Sequence, residues 1–242
     1  MRLASMGKHW NRLKRSLRRR WGEWRLPGGY ERLGTRYGGW WIDTKMLGPQ
    51  PLLIDCGLGE DISFPTAFLQ RFPGARVIGV DPNPRSLAYC RARCPSGMEI
   101  LANAFWTTAG EAIVFHLPRA QDDLPKGADG VSGSLDSSHE YVEGGERIET
   151  QSVDLDSLLS RAGRTECDVL KLDVEGAEYA LLEALVASGR IRAARQVLIE
   201  FHHGVTRHTP DDTRRIVDSL AAAGFRLIHT ESRNYIFRRD SA

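Results

Sequence analysis

The stretch from Pro51 to Pro84, PLLIDCGLGEDISFPTAFLQRFPGARVIGVDPNP, constrains the fold of this chain more than any other. An apolar run, Leu52-Leu53-Ile54, stops at Asp55 and a turn carrying two glycines, Gly57 and Gly59. A helical pattern with Phe64, Ala67, Phe68 and Phe72 follows, and a second apolar run, Val77-Ile78-Gly79-Val80, ends at Asp81. Strand, glycine turn, helix, strand and acid predict the opening unit of an α/β, doubly wound, Rossmann-like sheet. Gly57 and Gly59 let the backbone turn sharply and approach a ligand without a Cβ in the way. Asp81, at the carboxyl end of the second strand, is placed to accept hydrogen bonds from two ribose hydroxyls.

The glycine pattern also discriminates between nucleotides. A dinucleotide fingerprint needs a third glycine three residues after the second. That position is Ile62, preceded by Glu60 and Asp61. Two carboxylates repel a pyrophosphate but suit a ligand with a sulfonium and an ammonium group, and S-adenosylmethionine is such a ligand. The expected cofactor contacts are Asp55, Gly57, Gly59, Asp81 and Asn83. To these are added Ala104, in the turn after the third strand, and Asp173. An ordinary tight turn is the plainer reading of D-x-G-x-G alone; the acid-ended second strand at the right distance argues for the site.

The 242 residues suffice for one α/β domain with a full core and an appendage. No apolar run approaches the length of a membrane span, and the first residues lack the apolar stretch of a secretory signal. Four cysteines without paired spacing suit reduced core positions, and the expectation is a cytoplasmic protein. The net charge of +2 hides an asymmetry: residues 1–25 hold nine Lys/Arg against Glu23 alone, so they carry +8 and the remainder −6. Leu3, Met6, Trp10, Leu13, Leu17, Trp21 and Trp24 recur at helical spacing and predict an amphipathic helix over residues 3–24. That helix would dock on its own domain or a second copy, or lie on a membrane surface with the protein peripheral there. A nucleic-acid arm is the least favoured reading.

From Leu26 to Gly48 glycine pairs alternate with aromatics, and Trp40–Ile42 reads as a short strand. This lead-in is either a cap over the sheet or an aromatic wall of the ligand site. Residues 1–48 are thus set apart from a main domain over 49–242. Met98–Ala102 is the third strand, Glu111–Leu117 alternates like an exposed one, and 117–145 has no periodicity, with Val131–His139 as a candidate substrate lid. The second half brings strands over 147–153, 168–172 and 196–200, helices over 157–161, 179–188 and 211–224, and two last strands at 225–229 and 234–237.

Asp173 and Glu200 end two of these strands, on the carboxyl edge where open α/β sheets bind ligands. One such acid is often a helix cap. Two, with Glu175, His202 and His203 nearby, exceed what capping requires; Glu178 reads as a structural helix residue.

The runs LIDCGLGED, VIGVDPNP, NAFWTTAGEAIVF, LKLDVEGAE, LIEFH and the final GFRLI…NYIF resemble the FkbM-type S-adenosylmethionine-dependent methyltransferases, in order and spacing, from about Pro51 to Arg238. The chain departs from that pattern at DCGLGED, where many members read D-x-G-A-N-x-G. The resemblance implies a class I methyltransferase fold: a seven-stranded, mostly parallel sheet with an antiparallel C-terminal hairpin. It implies transfer of a methyl group to a hydroxyl of a small molecule, glycan or lipid-like natural product. Such transfer needs a group to take the hydroxyl proton, and Asp173, Glu175, Glu200, His202 and His203 are the candidates, a histidine having the pKa nearest working pH. No metal ligands are assigned; an alternative has Asp173, Glu200 and His202 hold a divalent cation. Rival readings are a non-catalytic module acting through the basic helix at membrane or RNA, and a nicotinamide oxidoreductase, which Ile62 argues against. A homo-oligomer is compatible with all of these.

Overall fold

The apolar runs become the middle of one sheet. The computed structural model describes residues 29–119 and 131–240; the expected helix over residues 3–24 lies outside them. In chain order come β1 (Tyr30–Leu33), β2 (Trp40–Asp43), β3 (Leu52–Cys56), α1 (Ser63–Arg71), β4 (Arg76–Val80), α2 (Pro84–Arg91), β5 (Met98–Leu101) and β6 (Ala104–Phe105). They are followed by β7 (Ala112–His116), β8 (Arg147–Val153), α3 (Leu155–Ala162), β9 (Cys167–Leu172), α4 (Glu178–Ala187), β10 (Ala194–Glu200), α5 (Pro210–Ala222), β11 (Phe225–Glu231) and β12 (Asn234–Arg239).

Seven of these strands form the main sheet in the order β11-β12-β10-β9-β3-β4-β5. β12 runs antiparallel to both neighbours, and the other pairs are parallel. This is the expected seven-stranded class I arrangement. Within it β9 adjoins β3 directly, and β10 lies one strand further out. β7 and β8 leave the main sheet for a separate three-stranded one, in which β8 pairs with β7 on one side and β6 on the other. Their half-exposed alternation suits a small sheet covered on one side, whereas the fully buried β3 and β9 suit a sheet covered on both.

Both faces of the main sheet are covered. Leu53, Val77, Val169 and Leu198 pack with Phe64 and Phe68 of α1 and with Trp40 and Ile42 of β2. Their strand neighbours Ile54, Ile78, Leu170 and Val197 pack with α3, α4 and α5. Each fully buried Leu or Ile contributes about 1.5–3 kcal/mol, so these two layers hold the carboxyl edge rigid. The β1–β2 hairpin belongs to this packing: the Asp43 N–H donates to Gln196 Oε1 at 2.7 Å and Gln196 Nε2 returns a bond to the Asp43 carbonyl. Helix starts follow the sequence signals. Asp154 with Ser157 and Thr209 with Asp212 form capping boxes, and Asn83 caps α2 with Pro84 at its first position.

Candidate functional site

A cavity of about 880 Å³ opens over the carboxyl ends of β3, β4, β9 and β10. One end is lined by Gly57, Gly59, Asp81, Pro82, Ala104, Phe105 and Phe115, the other by Asp173, Glu175, Glu200, Arg233, Asn234 and the tip of the β1–β2 hairpin. Gly57 has φ +84, and a Cβ on it would overlap the Asp173 carbonyl oxygen. Only glycine allows the two turns to pass so closely. Gly59, at φ +55, faces open space.

Asp81 follows β4 and is held by main-chain donors alone. Its Oδ2 accepts from the N–H groups of Leu58 at 2.9 Å and Gly59 at 3.1 Å, and its Oδ1 from Asn83 N–H at 2.8 Å. Burial pushes this carboxyl up to about 6 against those three bonds. Two other expected cofactor contacts lie elsewhere. Asp55 sits beneath the turn, paired with Lys171 Nζ at 2.9 Å, because β3 ends by burying it against β9. Asn83 is occupied: its Oδ1 accepts from Arg85 N–H, and its Nδ2 donates to the Val131 carbonyl. Neither lines the cavity.

Lys171 joins the two ends. Its buried ammonium donates to the Gly57 carbonyl at 2.6 Å and lies 3.6 Å from Asp173 Oδ2 as well as against Asp55. Burial opposes that charge, but Asp55 and Asp173 outweigh it and hold the lysine above its usual value. Sequence reasoning misses it, as one more residue of a buried strand; a lysine inside an apolar run is the signal that could have found it.

At the acidic end Asp173, Glu175, Glu200 and His202 do come together. His202 is buried with both ring nitrogens against carboxylates: Nδ1 lies 3.2 Å from Glu178 Oε1, and Nε2 lies 3.2 Å from Glu175 Oε2 and 3.6 Å from Asp173 Oδ1. Burial disfavours its charge, yet Glu175, Glu178 and Asp173 prevail and hold the imidazole up to about 10. It is therefore an imidazolium at neutral pH, it does not line the cavity, and it has no free nitrogen with which to take a proton. His203 turns away to Thr213 Oγ1 at 3.0 Å. Glu175 is held at about 2, burial being overcome by His202 and His139. Burial pushes Asp173 up, and pushes Glu200 up to about 7 with Asp173 adding to the effect; His202 and Arg233, the latter at 3.1 Å, oppose it. The donor atoms of Asp173, Glu200 and His202 lie within 4.8 Å of one another, so a divalent cation would have to displace the carboxylate contacts of His202.

Glu178 is more than the structural helix residue that its sequence position suggests. Fully buried, it accepts from Gly176 N–H at 2.7 Å, from His202 N–H at 2.8 Å and from His202 Nδ1. It fixes the acidic turn to the end of β10. Burial of a carboxylate leaves no mark in a sequence. The lead-in does reach the cavity through Arg32, Arg36, Tyr37 and Trp40, Tyr37 being 74% exposed at the mouth.

Three comparisons bear on this arrangement. Over 137 residues the chain is 31% identical to the 2-O-methyltransferase NoeI of Sinorhizobium fredii (strain NBRC 101917 / NGR234), covering 54% of this chain and 55% of that protein. The chain thus spans about half the length of the curated relative it matches. Among solved structures, the pre-rRNA processing protein fibrillarin of Methanococcus jannaschii superposes over 81% of this chain and 70% of its own, with a TM-score of 0.43 and 10% identity. The precorrin-6y C5,15-methyltransferase of Geobacter metallireducens does so over 81% and 82%, with a TM-score of 0.42 and 13% identity. Residues 55–227 match the family described as the methyltransferase FkbM domain. From that match over most of its length, the chain belongs to the FkbM methyltransferase domain family.

Proposed function

We propose that the chain is an S-adenosylmethionine-dependent O-methyltransferase acting on a hydroxyl of a small molecule, glycan or lipid-like natural product. One observation carries the reading: a single cavity has a glycine turn and an amide-held acid at one end and a set of half-buried carboxylates at the other. The cofactor fits this donor set. Gly59 leaves open space beside the turn, Asp81 offers a carboxylate for ribose hydroxyls, and acids flank where a sulfonium and an ammonium group would find counter-charges. A pyrophosphate would meet Glu60, Asp61 and Asp173 in the same space.

When bound, S-adenosylmethionine supplies an electrophilic methyl group on a cationic sulfur. The chain's own residues must orient a hydroxyl and remove its proton. Glu200 is suited to removing the proton, since it lines the cavity and at about 7 is poised between its two forms at working pH. Asp173 beside it keeps that value up, and Arg233 anchors the carboxylate. His202, charged and behind the wall, stabilises the acids without exchanging a proton with the acceptor. No helix among the described residues is long and apolar enough to cross a membrane.

Calorimetry with S-adenosylhomocysteine, S-adenosylmethionine and NAD tests the cofactor; binding of NAD alone would sink the reading. A panel of hydroxylated glycans, lipids and small molecules with methyl-labelled S-adenosylmethionine then identifies the acceptor, and label recovered only on nitrogen or carbon would overturn the O-methyl assignment.

A further inference from the structure

The loop over residues 131–139 is the least regular wall of the cavity and the most heavily tied. At its start the Val131 carbonyl accepts from Asn83 Nδ2 at 3.3 Å. In its middle Ser134 Oγ donates to the Glu175 carbonyl at 2.5 Å and accepts from Asp136 N–H at 2.8 Å. At its end His139 is wholly buried. The Tyr141 N–H donates to His139 Nδ1 at 3.2 Å, and an amide N–H cannot accept. The ring proton is therefore on Nε2, which donates to Glu175 Oε2 at 2.9 Å. The Ser132 side chain bonds the same carboxylate. Three side chains from one loop converge on one residue.

That residue sits in a backbone conformation that glutamate rarely adopts. Glu175 has φ +51, which glycine or asparagine reaches with less strain. Such a conformation persists only where the surroundings over-determine it, and it clusters at functional positions. Here the loop holds both the carbonyl and the carboxylate, while His202 Nε2 lies 3.2 Å from the same Oε2 that His139 reaches. The cavity-facing residues of the loop, Val131, Ser132, Gly133 and Leu135, share the end lined by Pro82, Phe105 and Phe115; a Cβ on Gly133 would sit 2.5 Å from the Phe115 ring. Glu175 belongs to the acidic end.

We propose that His139 is a positioning residue that couples the two ends: through Glu175 it fixes loop 131–139 as a wall of the cofactor site and fixes the charge facing His202. His139 does not line the cavity. The inference rests on the cofactor assignment above.

Two readouts test it, S-adenosylhomocysteine affinity by calorimetry and the titration of the His202 imidazole by NMR. His139→Ala is expected to weaken the ligand about tenfold and to lower the His202 titration, as Glu175 loses its fixed place. His139→Gln keeps an N–H donor and should restore both, leaving the affinity within about threefold of the unaltered chain. In the pair His139→Ala with Glu175→Gln the loss of affinity should not exceed that of Glu175→Gln alone. If His139→Ala does not fold, Ser132→Ala replaces it in the same cycle, with a smaller loss of the same non-additive kind. Unaltered affinity with an unaltered His202 titration would overturn the proposal, as would losses that simply add. Failure of the unaltered chain to bind S-adenosylhomocysteine would instead bring down the cofactor assignment.

Discussion

Asp81, buried, and Glu200, half-buried, are acids at the carboxyl edge, held above the usual carboxylate range at about 6 and about 7. They are held by opposite means. Asp81 is gripped by three main-chain N–H groups from its own strand end and the glycine turn. Glu200 has one arginine beside it, with Asp173 and His202 setting its potential. Neutral amides fix where a carboxylate is, and they do not themselves titrate. Charged neighbours fix instead how readily it takes a proton. The first arrangement suits recognition of a constant ligand, the second suits proton transfer. The two halves of the edge differ in the kind of force they use.

The largest effect that could break this contrast is on turnover. Glu200→Gln is expected to lower kcat by roughly 10²–10⁴, the usual share of a general base, while S-adenosylhomocysteine affinity stays within about threefold. In the unaltered enzyme turnover should rise with pH through about 7, as Glu200 loses its proton, and the variant should lack that rise. Exhaustive chelation should leave turnover intact, since both nitrogens of His202 already face carboxylates. An unchanged kcat in the variant would remove the distinction between the two acids.

Gly57→Ala asks whether the halves can be separated at all. An alanine at φ +84 is strained by about 1–2 kcal/mol, and its Cβ would push on the Asp173 carbonyl, adding roughly 1–3 kcal/mol. Melting temperature, ligand affinity and turnover should fall together. Loss of affinity alone would mean that the glycine turn moves independently of the acids.

Asp81→Ala should weaken S-adenosylhomocysteine by about 1.5–3 kcal/mol, the value of hydrogen bonds to a charged group, with a smaller effect on kcat. In the unaltered chain the affinity should decline as pH falls through about 6, because a protonated Asp81 accepts ribose hydroxyls less well. A pH-independent affinity would show that the ribose is bound elsewhere.

The smallest effect is on stability. Glu200 is raised in the folded chain from 4.5 to about 7. Between those values the folded state binds a proton that the unfolded state does not, so its contribution declines as pH rises. Glu200→Gln, which cannot ionise, should gain in melting temperature relative to the unaltered chain as pH passes 7; thermal melts from pH 5 to 9 read the difference.

Much of the fold is legible in the residues themselves. The runs at Leu52, Val77 and Asp168 are apolar because their strands are buried on both faces, so the parallel core and its acid-ended edge stand out. β1, Tyr-Glu-Arg-Leu, does not: it is half exposed and gains strand character only by pairing with β2. The separation of β7 and β8 from the main sheet depends on pairing between residues 112 and 151, which no local pattern encodes. At the site, residue types are readable and their states are not. His202 suggests a base by its intrinsic pKa, and three carboxylates of one segment, Asp173, Glu175 and Glu178, which the fold brings to the end of β10, make it a fixed cation. Asp55 suggests a ligand contact and is instead the partner of Lys171.

The acidic end of the cavity is walled by two hairpin tips, residues 34–39 between β1 and β2 and 232–233 between β11 and β12. Turns of this kind accept insertions and exchanges at little expense to a core they do not enter. The carboxylates beneath them stand on β9, β10 and the turn into α4, inside the packed sheet. If the acidic end takes the acceptor, as proposed, acceptor choice and reaction chemistry are written on different parts of the chain. On the proposed reading, descendants of this sequence could acquire new acceptors by exchanging tip residues other than Arg233, which holds Glu200, and so could an engineer, with the carboxylates carried over unchanged.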